Sequence, residues 1–144
     1  MNKIIFEGAE LAGKSWIMSQ IYNSIEPKSR KSKNILDGCH WFNADNGVFG
    51  TENSRGVIEG YMKIFNSLSE GNIIVEKFTL SDCIYQKLHR GKDVDYSDIN
   101  KELERQGFKI VLITFKEDRE LLEKRIQDRL NLYPHYKEIL REVD

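Results

Sequence analysis

Hydrophobic positions along the chain predict strands that alternate with helices. Strand-forming runs mark four predicted strands, at Lys3 to Glu7, Asn34 to Leu36, Asn72 to Glu76 and Lys109 to Phe115. Two of these strands contain uninterrupted apolar stretches, Ile73-Ile74-Val75 and Ile110-Val111-Leu112-Ile113. Such stretches are typical of parallel strands that helices cover on both faces.

Between the strands, apolar residues recur at helical spacing. Ile17, Ile21 and Ile25, for example, repeat at every fourth position and lie on one face of a helix. The predicted helices are Lys14 to Ile25, Gly56 to Ser69, Leu80 to His89, Asp95 to Gln106 and Glu117 to Leu130. Strands alternating with helices indicate an α/β fold, a doubly wound parallel sheet with helices on both faces. The stretch Asp37 to Ser54 is predicted to be irregular.

Composition and charge narrow the class of protein. A chain of 144 residues suits one domain. Its 22 basic and 23 acidic residues nearly cancel, whereas nucleic-acid binders usually carry a basic excess. Cys39 and Cys83 fit no metal-ligand spacing and are expected to be free thiols. With no signal peptide and no apolar stretch of membrane length, we expect a cytoplasmic protein without membrane or nucleic-acid partners.

One short motif carries the strongest chemical signal. Residues 8–15 read Gly-Ala-Glu-Leu-Ala-Gly-Lys-Ser, between a predicted strand and a predicted helix. Glycines at both ends let backbone N–H groups turn toward phosphate oxygens, and the N-terminus of the following helix adds a positive dipole. Lys14 is expected to reach the β- and γ-phosphates, and the Ser15 hydroxyl to hold Mg²⁺. The predicted phosphate-binding loop consists of Gly8, Ala9, Glu10, Leu11, Ala12, Gly13, Lys14 and Ser15.

A second set of polar residues follows the third predicted strand, at Glu76-Lys77-Phe78. Open α/β sheets bind ligands beyond the carboxyl ends of their strands, so these residues are expected at the same edge as the loop. There Glu76 can take the proton of an acceptor oxygen or hold a Mg²⁺-bound water. Lys77 can neutralise an anionic acceptor. The alternative is an acid at a helix N-terminus and a lysine in solvent.

Three further features are candidates for the site. Arg125 and Arg129 lie four positions apart on one helix face, where two guanidinium groups can converge on phosphate oxygens. The alternative is an amphipathic helix with i,i+4 ion pairs. Trp41 is a candidate for stacking on an acceptor base, with core packing as the alternative. Arg55, at the start of the helix Gly56 to Ser69, is a candidate for contacting an acceptor phosphate.

The order of these motifs resembles a known family. Residues 6–15 resemble the F-E-G-x-D-G-x-G-K-[ST] loop of thymidylate kinases, and residues 76–86 resemble the family's D-R-Y-x-x-S-x-x-A-Y-Q segment. Ser81, Tyr85 and Gln86 match that segment outright. The basic helix lies where the family carries an arginine-rich lid, here at about residues 117–136. Residues 76–82 also resemble the E-R-S-x-x-S-D segment of deoxynucleoside kinases.

This resemblance implies one P-loop nucleotide kinase domain over residues 1–144 that uses ATP and Mg²⁺. By position, Glu10 would contact the acceptor sugar or an acceptor-side arginine, and Glu76 would be the catalytic carboxylate. Lys77 would hold the acceptor phosphate, and Phe78 is a further substrate-binding candidate. The phosphate loop lacks the arginine found in some members. Arg125 and Arg129 would therefore supply the catalytic cation together with Lys14.

The departures from the family leave alternatives open. A lysine at position 77 cannot make a bidentate phosphate contact, and no REP-like segment follows the second strand. The sequence ends at Asp144, before the family's last strand and C-terminal helix, which indicates either a minimal version or a missing remainder. We expect phosphoryl transfer to a deoxynucleoside monophosphate. The alternatives are a deoxynucleoside kinase acting on a 5′-hydroxyl and a nucleotide-binding protein with little or no turnover. The expected partners are the small-molecule nucleotide or nucleoside acceptor and, in a homodimer, a second copy of the chain.

Overall fold

A computed structural model describes residues 2–9, 12–29, 38–114 and 118–135. These residues form four strands and five helices. The strands are β1 (Lys3–Glu7), β2 (Cys39–Asn43), β3 (Asn72–Glu76) and β4 (Lys109–Leu112). The helices are α1 (Lys14–Ser29), α2 (Ser54–Ser67), α3 (Thr79–Arg90), α4 (Ser97–Arg105) and α5 (Arg119–Leu132). In the described part of the chain, no helix is long and apolar enough to cross a membrane.

The four strands form one parallel sheet in the order β2-β3-β1-β4. In this register Glu76 lies opposite Phe6 on one side and opposite Asn43 on the other. Because all strands run the same way, the carboxyl ends of β1, β2 and β3 meet at one edge of the sheet. Residues that immediately follow these strands are therefore neighbours in space.

Helices cover both faces of the sheet. Successive strand residues point to opposite faces, so Ile5 and Phe6 belong to different cores. Ile5 packs in a core that includes Ile58 and Phe65 of α2, while Phe6 packs in a core that includes Met18 of α1. This arrangement confirms the predicted α/β class with a parallel sheet, and helices cover both faces of its central strands. The expectation was wrong for the apolar run of β4, whose residues Ile110, Val111 and Leu112 are exposed at the edge of the described sheet.

The structure differs from the prediction mainly around β2. The predicted strand at Asn34 to Leu36 lies outside the described residues. The prediction that Asp37 to Ser54 is irregular was wrong at Cys39–Asn43, which pairs with β3. Within the described sheet, this strand pairs on one side only, and most of its residues are partly or fully exposed. Its sequence therefore lacks the continuous apolar run that is typical of strands buried on both faces. Helix α1 also extends beyond the predicted end at Ile25, to Ser29.

A buried carboxylate joins three helices on one face of the sheet. Asp82 of α3 is fully buried and accepts hydrogen bonds from the Tyr96 hydroxyl at 2.6 Å and the Ser54 hydroxyl at 3.0 Å. It also accepts the Gly50 N–H at 2.8 Å. Because Tyr96 precedes α4 and Ser54 begins α2, this network fixes the segment between β2 and α2 against the start of α3.

Candidate functional site

The loop after β1 depends on glycine. Gly8 has a φ of 153° and Gly13 a φ of 93°, both positive. A Cβ atom added at Gly8 would lie 2.5 Å from the carbonyl oxygen of Ile113, so no other residue fits there without movement of the backbone. The Ala12 N–H donates to the Ala9 carbonyl at 3.3 Å and helps close the loop. Glu10 and Leu11, two of the predicted loop residues, lie outside the described residues.

The loop leads directly into the N-terminus of α1. Lys14 is buried, and its Nζ donates to the Ala9 carbonyl at 2.9 Å. Ser15 is exposed, and the Ile17 N–H donates to the Gly13 carbonyl at 3.1 Å. The loop, the lysine and the positive end of the helix dipole thus lie together, as a phosphate site requires.

Glu76 lies beside this loop because β3 is the neighbour of β1. The Ser15 hydroxyl donates to Oε1 of Glu76 at 2.9 Å, although the two residues are 61 positions apart in the sequence. A hydroxyl and a carboxylate are oxygen ligands of the kind that Mg²⁺ prefers. Within the described residues no group of three or more His, Cys, Asp or Glu side chains is placed to hold a metal. A Mg²⁺ ion here would therefore rely on Ser15, Glu76, water and phosphate oxygens, which fits the usual mode of magnesium binding.

Lys77 has an unusual backbone and a largely buried side chain. Its φ is 61°, and a non-glycine residue in this left-handed region costs about 1–2 kcal/mol. The Lys77 N–H donates to the Phe6 carbonyl at 2.9 Å, which ties this turn to β1. The Lys77 Nζ lies 3.5 Å from Asp45 Oδ2, and the two side chains are only 11% and 17% exposed. The alternative of a lysine in solvent was wrong.

Glu7 is a polar residue that sequence reasoning overlooked. Its side chain is buried at the end of β1, where it accepts the Phe78 N–H at 2.8 Å and the Ser81 hydroxyl. Burial raises the pKa of Glu7, and hydrogen bonds from Ser81 and Phe78 oppose part of that shift. Glu7 therefore caps the N-terminus of α3 from a neighbouring strand. The sequence did contain a signal for this residue, because Glu7 is a carboxylate at the last position of a predicted buried strand, directly before the loop.

The predicted substrate residue Phe78 is fully buried, and its ring centroid lies 5.5 Å from that of Phe65 in α2. An apolar cavity of about 260 Å³ lies between α3, which follows Phe78, and the end of β4. Its lining residues are Glu7, Gly8, Ala9, Leu80, Ser81, Ile84, Tyr85, Leu88 and Leu112. The cavity therefore opens beside the first residues of the phosphate loop.

Helix α5 brings the predicted arginine pair to the phosphate loop. Arg125 and Arg129 line a groove of about 450 Å³ together with Gly13. Asp128, Leu132 and Tyr133 complete its lining. The helix begins with Asp118 as its cap, which accepts the Leu121 N–H at 3.0 Å. Arg125 and Arg129 thus share a groove with Gly13, the residue that precedes α1.

Two other candidates make different contacts. Trp41 is part of β2, and its ring centroid lies 5.9 Å from that of Tyr22 in α1. Arg55 contacts Glu59 at 3.1 Å and Asp98 at 2.5 Å, which joins α2 to α4. The described contacts of these two residues are therefore packing and ion pairing.

Fold and site together define an α/β protein with a parallel sheet and a candidate phosphate site at its carboxyl edge. Comparison with protein-family models, with curated proteins and with solved structures finds no match for this chain.

Proposed function

We propose that this protein is a P-loop nucleotide kinase that transfers a phosphoryl group from ATP to a deoxynucleoside monophosphate. The contact between Ser15 and Glu76, at 2.9 Å, carries this proposal. It joins the end of the phosphate-binding motif to a carboxylate at the end of the adjacent strand. Such a carboxylate can orient the acceptor oxygen and, where the acceptor is a hydroxyl, take its proton, whereas the phosphate oxygen of a monophosphate is already ionised at neutral pH.

The donor half of the site follows from the loop and the two helices that reach it. The backbone of residues 8–15 would hold the ATP phosphates, and Lys14 would neutralise the β- and γ-phosphates. Mg²⁺, held by Ser15 and Glu76 with the phosphates, would supply charge neutralisation at the transferring group. Arg125 and Arg129 would add positive charge there, since their groove includes Gly13 of the loop.

The acceptor half is assigned to the segment that follows β3. Lys77 places a buried ammonium group next to Glu76 in the chain, and such a group attracts the phosphate of a monophosphate. Glu10 is the further acceptor-side residue that the family resemblance implies. Phe78, Trp41 and Arg55 are further sequence candidates for this half, and their described contacts are core packing, ring packing and ion pairs. A cytoplasmic location is part of the same proposal, because its ATP and nucleotide substrates would be met there.

One observation favours a second candidate, a deoxynucleoside kinase acting on a neutral 5′-hydroxyl. Asp45 Oδ2 lies 3.5 Å from Lys77 Nζ, so the charge of Lys77 is already compensated within the protein. A neutral acceptor needs no further cation at that position.

Coupled-enzyme assays with Mg²⁺, ATP and a panel of deoxynucleosides and deoxynucleoside monophosphates test these candidates. Turnover of monophosphates supports the first candidate, and turnover of nucleosides alone supports the second. ATP binding without turnover of any acceptor contradicts both and favours a nucleotide-binding protein. Lys14→Ala is expected to remove most of the activity while the fold is retained, because Lys14 neutralises the donor phosphates. Lys63→Ala, on the exposed side of α2, is the matched control.

A further inference from the structure

We propose that Asp45 determines acceptor specificity: its carboxylate occupies Lys77 in the place of an acceptor phosphate, and a monophosphate must displace it to bind. This inference rests on the proposed function, and it assigns a role to a residue outside the sequence motifs. It makes Asp45 an internal competitor of anionic acceptors.

The position of Asp45 is fixed by its own turn. Its Oδ1 accepts the Gly47 N–H at 3.1 Å, and its N–H donates to Asn43 Oδ1 at 3.2 Å. The preceding residue, Ala44, donates its N–H to the Glu76 carbonyl at 3.2 Å. One carboxylate oxygen is thus engaged by the turn, while the other, Oδ2, faces Lys77. Hydrogen bonds within the turn therefore fix the position of the Asp45 carboxylate.

Asp45 and Lys77 both lie at the edge where the phosphate loop ends. Asn43 and Glu76 are partners in the sheet register, so the ion pair lies one to two residues beyond the last paired residues of β2 and β3. Glu76 in turn contacts Ser15 of the loop. An acceptor whose reacting oxygen is brought to Glu76 therefore comes close to Lys77 and to Asp45 together.

The ring of Tyr85 helps to shield the Asp45–Lys77 ion pair from water, because the ring centroid lies 5.9 Å from Lys77 Nζ. Where exposure is low, charges are weakly screened, so an incoming phosphate experiences both the attraction of Lys77 and the repulsion of Asp45. A neutral hydroxyl experiences neither strongly. Removing the Asp45 charge should therefore improve monophosphate binding on the order of tenfold and leave nucleoside binding almost unchanged.

The test is a calorimetric titration of the full chain with thymidine 5′-monophosphate and, separately, with thymidine. Asp45→Asn retains an oxygen that can accept the Gly47 N–H, so the turn is expected to persist. We expect about tenfold tighter monophosphate binding in this variant and less than a twofold change for thymidine. Asp93→Asn is the matched control, because Asp93 forms an exposed pair with Lys87 and should have no effect.

A double-mutant cycle with Lys77→Met shows whether the gain acts through Lys77. Relative to Lys77→Met alone, the gain in monophosphate affinity should be clearly smaller in the Asp45→Asn/Lys77→Met protein, because only the direct repulsion by Asp45 is then relieved. Unchanged or weaker monophosphate binding in Asp45→Asn would overturn the inference, and so would a gain of the same size without Lys77. If Asp45→Asn lowers the melting temperature, Asp45→Ser gives the same comparison.

Failure of the proposed function has a different signature. In that case the wild-type chain transfers phosphate to no acceptor in the coupled assay, whatever the titrations show. The titrations measure binding alone, and a gain in Asp45→Asn would still show that Asp45 competes with an anion for Lys77. A wild-type chain that turns over monophosphates while Asp45→Asn binds them no better would overturn the inference and leave the function standing.

Discussion

At the scale of single residues, the site contains two carboxylates at the ends of adjacent strands. Glu7 is buried and accepts hydrogen bonds from the start of α3, whereas Glu76 is half-buried and accepts the hydroxyl of Ser15. Two carboxyl groups in such different environments are suited to different tasks. Glu7 holds α3 in place, and Glu76 faces the space where phosphates would bind.

Glu76→Gln tests the chemical role of the second carboxylate. The amide keeps the shape and can accept the Ser15 hydrogen bond, but it has no negative charge to orient Mg²⁺ and the acceptor, and it cannot take the proton of a hydroxyl acceptor. We expect kcat to fall about 10²-fold with a monophosphate, through lost positioning, and about 10²–10⁴-fold with a nucleoside, while the dissociation constant for ATP changes less. Steady-state kinetics and ATP titrations measure the two effects, with Glu104→Gln on the exposed side of α4 as control. Equal losses in both would mean that Glu76 acts only through the fold or through Mg²⁺ and does not act on the acceptor.

Glu7→Gln tests the buried carboxyl through the pH dependence of stability. The pKa of Glu7 is raised above its ordinary value of 4.5, chiefly by burial, so the folded state favours the protonated form. The stabilisation from protonation is complete below the unfolded pKa and is lost as pH rises through the folded pKa. The free energy of unfolding of the wild type should therefore fall relative to that of Glu7→Gln as pH rises from 4.5.

Urea unfolding of both proteins between pH 4.5 and pH 8 measures this difference, starting at the ordinary pKa of Glu7. All other titrating groups are shared by the two proteins, so their contributions largely cancel in the comparison. A difference that stays flat or grows in favour of the wild type would contradict the assignment.

At the scale of elements, the phosphate loop is positioned by the close approach of the ends of β1 and β4. Glu7 is the register partner of Leu112, and the Ile113 N–H donates to the Glu7 carbonyl at 2.8 Å. Gly8 follows at the point where the two backbones leave no room for a Cβ atom. The strand pairing therefore constrains the start of the loop at Gly8.

Gly8→Ala tests this constraint. Because the added Cβ would lie 2.5 Å from a backbone oxygen, the strand ends must separate or the loop must rearrange. We expect a loss of about 1–3 kcal/mol in the free energy of unfolding and a clear loss of ATP affinity.

Gly56→Ala in α2 is the matched control, since its added Cβ meets nothing within 4 Å. In the helix it should raise stability by about 0.5–1 kcal/mol. Denaturant unfolding and ATP titration of both variants measure the contrast. Equal stability changes of the same sign would show that the close approach at Gly8 is not limiting.

At the scale of the whole molecule, the sequence predicted the elements better than their arrangement. The apolar runs at Ile73 to Val75 and around Ile110 identified two strands, because both are continuous. Strand β2 was missed because its adjacent aromatics Trp41 and Phe42 lie between polar residues and form no longer apolar run, in a strand that pairs on one side. The strand order, which brings Glu76 to Ser15, depends on long-range packing and has no local signal. The cap that Glu7 provides for α3 follows from the same order.

Binding of Mg²⁺ and ATP should stabilise the whole fold, because the site is assembled from β1, β3, α1 and α5 only in the folded chain. A ligand that binds the folded state alone adds about 2.7 kcal/mol to the free energy of unfolding at 100 times its dissociation constant. We expect a non-hydrolysable ATP analogue with Mg²⁺ to raise the melting temperature in a concentration-dependent way. Chelation of Mg²⁺ should reduce that shift, since Ser15 and Glu76 then lose the ion that joins them to the phosphates.

The Lys14→Ala protein separates this effect from nonspecific stabilisation by nucleotide. In the wild type, the buried ammonium group of Lys14 lies within the loop, where the donor phosphates would bind. Removing this group should abolish most of the thermal shift. The Lys63→Ala protein should retain the full shift. If Lys14→Ala is stabilised by the analogue as strongly as the wild type, the nucleotide binds elsewhere and residues 8–15 do not form the donor site.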